Sequence, residues 1–166
     1  MDSELLVEML DDIQEREANI HSVLIVRNGY MVLEAYFDPY DQDTSHVVHS
    51  VTKSITSALV GISIREGYID GVNQPILDHF PERTVSNLDP AKQAMTLEHL
   101  LNMTSGLSWP EVGSPYVSLS NPVRQMLRSQ DFVQFVLDRP MNEEPGTSFN
   151  YNTGASHRNH PRDDRD

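Results

Sequence analysis

The 166 residues suffice for one domain of ordinary size, and a hydrophobic share of 38% supports a core, although a lean one. No stretch nears the roughly 18 continuous apolar residues of a membrane span, and the lack of cysteine excludes disulfides, thiolate nucleophiles and cysteine-ligated metals. Twenty-five acidic residues against twelve Lys and Arg give a net charge of −13, a field that repels phosphate backbones and argues against nucleic-acid partners.

Met1 to Glu8 carries acids and no basic stretch, so no secretory signal is visible and a cytoplasmic location is expected. Residues 2–18 predict a helix, with Leu5, Leu6, Met9, Leu10 and Ile13 on one face and Asp2 or Ser3 as its cap. Residues 21–27 and 30–37 are β-rich and joined by Asn28-Gly29, both of which tolerate positive φ, so they predict a hairpin. A polar loop follows to Thr44. A helix from about Ser50 to Glu66 stops at Gly67. Its stripe of Val51, Ile55, Leu59 and Ile62, mixed with the small Ser54, Ser57, Ala58 and Gly61, predicts burial. Tyr68 to Val72 reads as a short extended piece with a turn at Asp70-Gly71, and Thr96 opens a short helix to Met103. Residues 109–122 read as loop, residues 122–137 as one helix ended by Arg139-Pro140, and Pro145-Gly146 as a turn into Phe149-Asn150-Tyr151. From Ser156 the chain is charged and polar, with no side chain to pack except Pro161, and is expected to be a disordered tail.

Chemistry concentrates at Ser50-Val51-Thr52-Lys53. Positions i and i+3 of a helix share a face, so the hydroxyl and the ammonium lie one turn apart. A serine hydroxyl is a poor nucleophile until a neighbour takes its proton. A desolvated lysine can do this or hold the hydroxyl in place, and the helix N-terminus favours a developing anion. The rival reading is a capping serine followed by a surface lysine. Against it stand the apolar helix that the pair opens and the rarity of lysine, since Lys53 and Lys92 are the only two. The lysine-poor acidic composition suits a high-salt interior and an ordinary acidic protein alike. His46-x-x-His49 and His157-x-x-His160 have metal-like spacing but no evident third ligand, and are read as loop histidines.

Ser-x-x-Lys is the signature of the serine β-lactamases and penicillin-binding proteins. Three further segments resemble the class C β-lactamase and esterase branch of that superfamily, in its order. These are the hairpin ahead of the serine, Thr96-Leu-Glu-His-Leu-Leu-Asn-Met-Thr-Ser-Gly-Leu107, and Pro145-Gly-Thr-Ser-Phe-Asn-Tyr151. The resemblance covers roughly residues 5–155. It implies an α+β, β-lactamase/transpeptidase-like fold, an antiparallel sheet with helices, of which residues 1–155 form the N-terminal portion. It implies a serine hydrolase that attacks an ester or amide (a β-lactam, a D-amino-acid peptide, a short ester or an oligoamide) through an acyl-enzyme on Ser50, with no cofactor or metal. Tyr151 becomes the third catalytic residue, a phenol whose pKa neighbouring cations lower. The family's Tyr-x-Asn reads Tyr151-Asn152-Thr153 here, so either Thr153 replaces the polar group or Asn152 binds substrate from one position earlier.

The family's third motif, Lys-Thr-Gly or His-x-Gly on a sheet strand, is absent from these residues. That strand supplies one of two oxyanion N–H donors, the other being the N–H of Ser50. Losing one costs on the order of 3 kcal/mol, about a hundredfold in rate. The expectation is therefore a truncated chain, with a native polar tail as the alternative. The rival function is a non-catalytic remnant that keeps the pattern. A helical interaction module is a third possibility.

Overall fold

The computed structural model describes residues 2–156. The chain divides into two compact units, one up to Val47 and one from Val48 onward. Apart from Ser156, the tail lies outside the described residues, as do His157 and His160. No helix among the described residues is long and apolar enough to cross a membrane.

In the first unit, α1 (Ser3–Glu15) is capped by Asp2, whose carboxylate accepts from the Glu4 N–H at 3.0 Å. Leu6, Met9, Leu10 and Ile13 are its half-buried face, while Leu5 stays exposed. The antiparallel hairpin of β1 (Ser22–Arg27) and β2 (Tyr30–Tyr36) closes with Arg27 opposite Tyr30. Asn28 and Gly29 take φ of +51° and +81°, the pair of positive values that matches strand twist. The register slips between Ile25 and Val26, a bulge. In the loop that follows, Tyr40 stacks on His21 with ring centroids 3.7 Å apart. His21 Nδ1 lies 2.8 Å from His46 Nε2, and His46 Nδ1 lies 3.0 Å from the Thr44 carbonyl. A carbonyl only accepts, so neutral His46 carries its proton on Nδ1 and takes a hydrogen bond from His21.

The second unit opens with a 3-10 turn at His49–Val51 that runs into α2 (Thr52–Arg65). Gly67, at φ +77°, ends α2 in a Schellman arrangement: Tyr68 N–H reaches the Ser63 carbonyl and Gly67 N–H the Ile64 carbonyl. The predicted burial of this helix is not observed. Val51, Ile55, Leu59 and Ile62 are 62, 56, 52 and 44% exposed. The stripe is uncovered among the described residues, and α2 meets the core through Val60 on another face.

Tyr68–Val72 forms turns rather than an extended piece. The pairing begins only at its end and runs farther on: Glu98 N–H bonds the Val72 carbonyl, Leu97 N–H the Gln74 carbonyl and Ile76 N–H the Met95 carbonyl, because a strand needs a partner and residues 95–98 supply it there. Between these segments lies α3 (Pro90–Ala94), capped by Asp89 with Pro90 at its first position. Thr96 caps α4 (Leu97–Leu101), and His99 completes a capping box by accepting from the Thr96 N–H. The single helix expected over 122–137 is two, α5 (Pro122–Arg128) and α6 (Phe132–Leu137). The chain extends at Ser129, and Asp131 starts a new helix by accepting from Gln134 N–H at 2.9 Å.

The core of this unit gathers Ile76, Met95, Leu97, Leu107, Trp109, Met126 and Val136. Beside it Lys92 is fully buried, and its ammonium donates to the carbonyls of Ser86, Leu137 and Arg139 at 2.7–2.9 Å. Burial pushes this amine below the usual lysine range, while the charges of Asp89 and Asp138 pull it back. Lys92 thus ties the loop before α3 to the end of α6. Lys92→Met leaves three carbonyls without that donor and is expected to cost about 2–4 kcal/mol, measured by denaturant unfolding. Gly154 packs so closely that an added Cβ would sit 2.7 Å from Trp109 and from Val136. Gly154→Ala is therefore expected to destabilise by about 1–3 kcal/mol in the same measurement.

Candidate active site

The site is built where the second unit begins. His49 takes φ +43°, a left-handed conformation that costs a residue with a Cβ on the order of 1–3 kcal/mol. It turns the chain abruptly into the 3-10 turn that carries Ser50. Lys53 follows one turn later, and its Nζ lies 3.1 Å from Ser50 Oγ.

Tyr151 arrives from a distant stretch that the Thr104-Ser105-Gly106 turn anchors. Gly106 has φ +76°, and a Cβ there would collide with the Glu143 carbonyl oxygen. Only glycine allows this crossing. The Gly106 carbonyl accepts from the N–H groups of Asn142 and Glu143, and the Thr104 carbonyl from Gly146 N–H. Asn150 N–H then bonds the Met103 carbonyl at 2.8 Å, and its side-chain amide donates to the carbonyls of Leu107 and Trp109. With Asn150 pinned on two sides, the Tyr151 hydroxyl reaches Ser50 Oγ at 2.5 Å. Lys53 Nζ sits 5.1 Å from the Tyr151 ring centroid.

The structure brings Ser50, Lys53 and Tyr151 together and leaves Asn152 outside the group. Asn152 is fully buried, and its side-chain Oδ1 accepts from the Ala155 N–H at 3.0 Å. It braces the turn after Tyr151. Thr153 is the polar group that faces the lysine, with Oγ1 3.5 Å from Lys53 Nζ. A cavity of about 670 Å³ opens over Ser50, Lys53 and Thr153, lined also by His49, Tyr116 and Val123 among others.

Glu111 is a further polar member. It is 1% exposed and accepts four hydrogen bonds, from Trp109 Nε1 (2.7 Å), Tyr116 OH (2.8 Å), Thr153 N–H (2.8 Å) and Thr153 Oγ1 (2.7 Å). Burial raises its pKa, but the bonds from Thr153, Trp109 and Tyr116 outweigh it and hold the carboxyl below the usual range. No motif or spacing marks Glu111 in the sequence. The only hint is an acid set among Trp109, Pro110, Val112 and Gly113 in an otherwise uncharged loop.

Tyr151 is itself perturbed. The hydrogen bond with Ser50 lowers its pKa most. Desolvation opposes, and the Lys53 hydrogen bond and charge lower it further, so the phenol ionises below the ordinary value of 10.0. The arrangement sets the Ser50 hydroxyl between the Lys53 amine and the Tyr151 phenol, two groups able to exchange or hold a proton with it.

The Beta-lactamase family matches residues 11–157. The 6-aminohexanoate-dimer hydrolase of Paenarthrobacter ureafaciens is 33% identical over 86 residues, 51% of this chain and 22% of that protein. A solved Bacillus anthracis protein, provisionally assigned as a 6-aminohexanoate-dimer hydrolase, superposes with a TM-score of 0.65 at 23% identity, over 91% of this chain and 40% of its own. A Bacteroides dorei DSM 17855 protein, provisionally assigned as a beta-lactamase, gives a TM-score of 0.66 at 21% identity, over 93% of this chain and 43% of its own. The chain spans less than half the length of each of these proteins, and the two structures share its fold. The family match extends across the hairpin, the Ser50 helix and the Tyr151 segment alike, and the chain belongs to the beta-lactamase family.

Proposed function

We propose that this chain carries the nucleophile half of a serine hydrolase, in which Ser50 attacks the carbonyl of an ester or amide and Tyr151 and Lys53 move the proton. The observation that carries the reading is the convergence of Lys53 Nζ and Tyr151 OH on one oxygen, Ser50 Oγ. A serine oxygen has one proton and two lone pairs. With Tyr151 ionised, the Ser50 proton points to the phenolate and the Lys53 ammonium donates to Ser50 Oγ, so the two contacts of that oxygen are one donated and one accepted bond.

From that state Ser50 Oγ bonds to the substrate carbonyl carbon as its proton passes to Tyr151. The lysine charge offsets the negative charge that accumulates on the oxygens. Tyr151 then gives the proton to the departing alcohol or amine, leaving an ester on Ser50. In the second half-reaction a water molecule gives its proton to Tyr151 and bonds its oxygen to the acyl carbon; the bond from that carbon to Ser50 Oγ then breaks, Tyr151 returns the proton to Ser50 Oγ, and the carboxylic acid departs. The named relatives act, by their names, on a dimer of 6-aminohexanoate. A linear amide is therefore the substrate class to test first, with short esters as more reactive surrogates.

A second reading is a remnant that keeps this geometry without turnover. The specific observation in its favour is the uncovered stripe of Val51, Ile55, Leu59 and Ile62 on the element that bears Ser50.

Three outcomes are expected from p-nitrophenyl ester hydrolysis. Ser50→Ala reduces the rate to the uncatalysed background, whereas retained turnover removes Ser50 from the reaction. Acylation rises with pH as Tyr151 ionises, through a midpoint below 10.0 because its pKa is lowered. Tyr151→Phe abolishes that limb and lowers the rate by roughly 10²–10⁴-fold. An unchanged pH profile in Tyr151→Phe assigns the proton transfer elsewhere.

A further inference from the structure

Glu111 is the least expected group near Ser50: a carboxylate with 1% exposure, set in a loop and not in contact with Ser50 or Tyr151 by any hydrogen bond described. All four of its partners are donors. An ionised carboxylate can only accept, so the direction of each of these bonds is fixed. Two of the four come from one residue, the N–H and the hydroxyl of Thr153.

This has a consequence for the lysine. The Thr153 hydroxyl has a single proton, and Glu111 Oε1 takes it at 2.7 Å. Its lone pairs are then the part left for Lys53 Nζ, which lies 3.5 Å away. Lys53 is held between two oxygens, Thr153 Oγ1 and Ser50 Oγ. Were Thr153 free to rotate, its O–H could point at the ammonium and repel it. The Thr153 N–H bond also fixes the backbone two residues after Tyr151, so the same carboxylate steadies the segment that carries the phenol.

We infer that Glu111 is a positioning residue: its carboxylate orients the Thr153 hydroxyl so that Thr153 Oγ1 accepts from Lys53 and holds that ammonium beneath Ser50. The inference rests on the proposed serine hydrolase reaction for its effect on rate, but the orientation itself is measurable without turnover. Among the described residues Thr153 bonds both Glu111 and Lys53, so removing its hydroxyl and neutralising Glu111 are expected to do the same thing to Lys53.

The test uses Glu111→Gln, Thr153→Val, Thr153→Ser and the double variant Glu111→Gln/Thr153→Val in the full chain. Because the protein has only two lysines, ¹³C-lysine labelling gives two Cε resonances to follow. The single tryptophan, Trp109, is itself bonded to Glu111 and reports whether the loop stays folded. The expected result is that the Lys53 resonance moves in Glu111→Gln and in Thr153→Val, no further in the double variant, while Lys92 stays. Ester-hydrolysis kcat falls roughly ten- to a hundredfold in both single variants with KM little changed, and Thr153→Ser restores it. A folded Glu111→Gln with an unmoved Lys53 resonance overturns the inference, as do kcat losses that multiply in the double variant. If Glu111→Gln does not fold, the threonine pair decides: loss in Thr153→Val with retention in Thr153→Ser supports the relay, and an unmoved resonance with full kcat in Thr153→Val ends it. If instead Ser50→Ala retains turnover, the reaction scheme fails while the resonance experiment still reads the Glu111–Thr153–Lys53 link.

Discussion

Ser50 Oγ meets two groups of different character, the Lys53 amine at 3.1 Å and the Tyr151 phenol oxygen at 2.5 Å. Each needs the other. The hydrogen bond with Ser50, and then the bond and charge of Lys53, lower the phenol's pKa, and in the proposed reaction the phenol takes the serine proton. Neither effect survives a displacement of an ångström or so, since such contacts weaken steeply with distance and angle. Much of the second unit serves to hold these atoms in register. The 3-10 turn fixes Ser50 over Lys53, while the Thr104–Gly106 crossing and the bonds of Asn150 deliver Tyr151.

The same constraint explains several residues that do no chemistry. Gly106 permits two backbone segments to cross where a Cβ would meet a carbonyl, and Gly154 lies against Trp109 and Val136 where a methyl would not fit. Asn152 is buried and braces the turn after Tyr151 through Ala155 N–H. Lys92, the other lysine, satisfies three carbonyls at once and stays out of the site. The two lysines thus play opposite parts: one is stapled into the framework, the other is aimed at a hydroxyl.

Local rules made much of this legible from the chain itself. Asn28-Gly29 dictates the hairpin turn, Asp2 and Thr96 act as caps, and Gly67 stops α2, because each depends on a few neighbouring residues. The Ser50–Lys53 spacing is equally local. Tyr151 was legible through family resemblance, since no local rule brings together residues 101 positions apart. Other features escaped because they depend on distant partners. Whether the α2 stripe is covered is not written in its own periodicity, and the pairing of Gln74 and Ile76 with Met95 and Leu97 is decided by where a partner strand lies. The break at Ser129–Asp131 turns on a polar cap competing with an apolar helical pattern. Glu111 has no signature at all, because its role comes from four donors that the fold assembles around it.

The central claim is that the pairing of amine and phenol makes one of sixteen serines chemically different from the rest. Incubation with a fluorophosphonate probe at neutral pH, followed by proteolysis and mass spectrometry, tests it most directly. The account predicts a single phosphonylated peptide carrying the adduct on Ser50. An intact, folded chain that takes no label, or takes it on other serines in preference to Ser50, would contradict it.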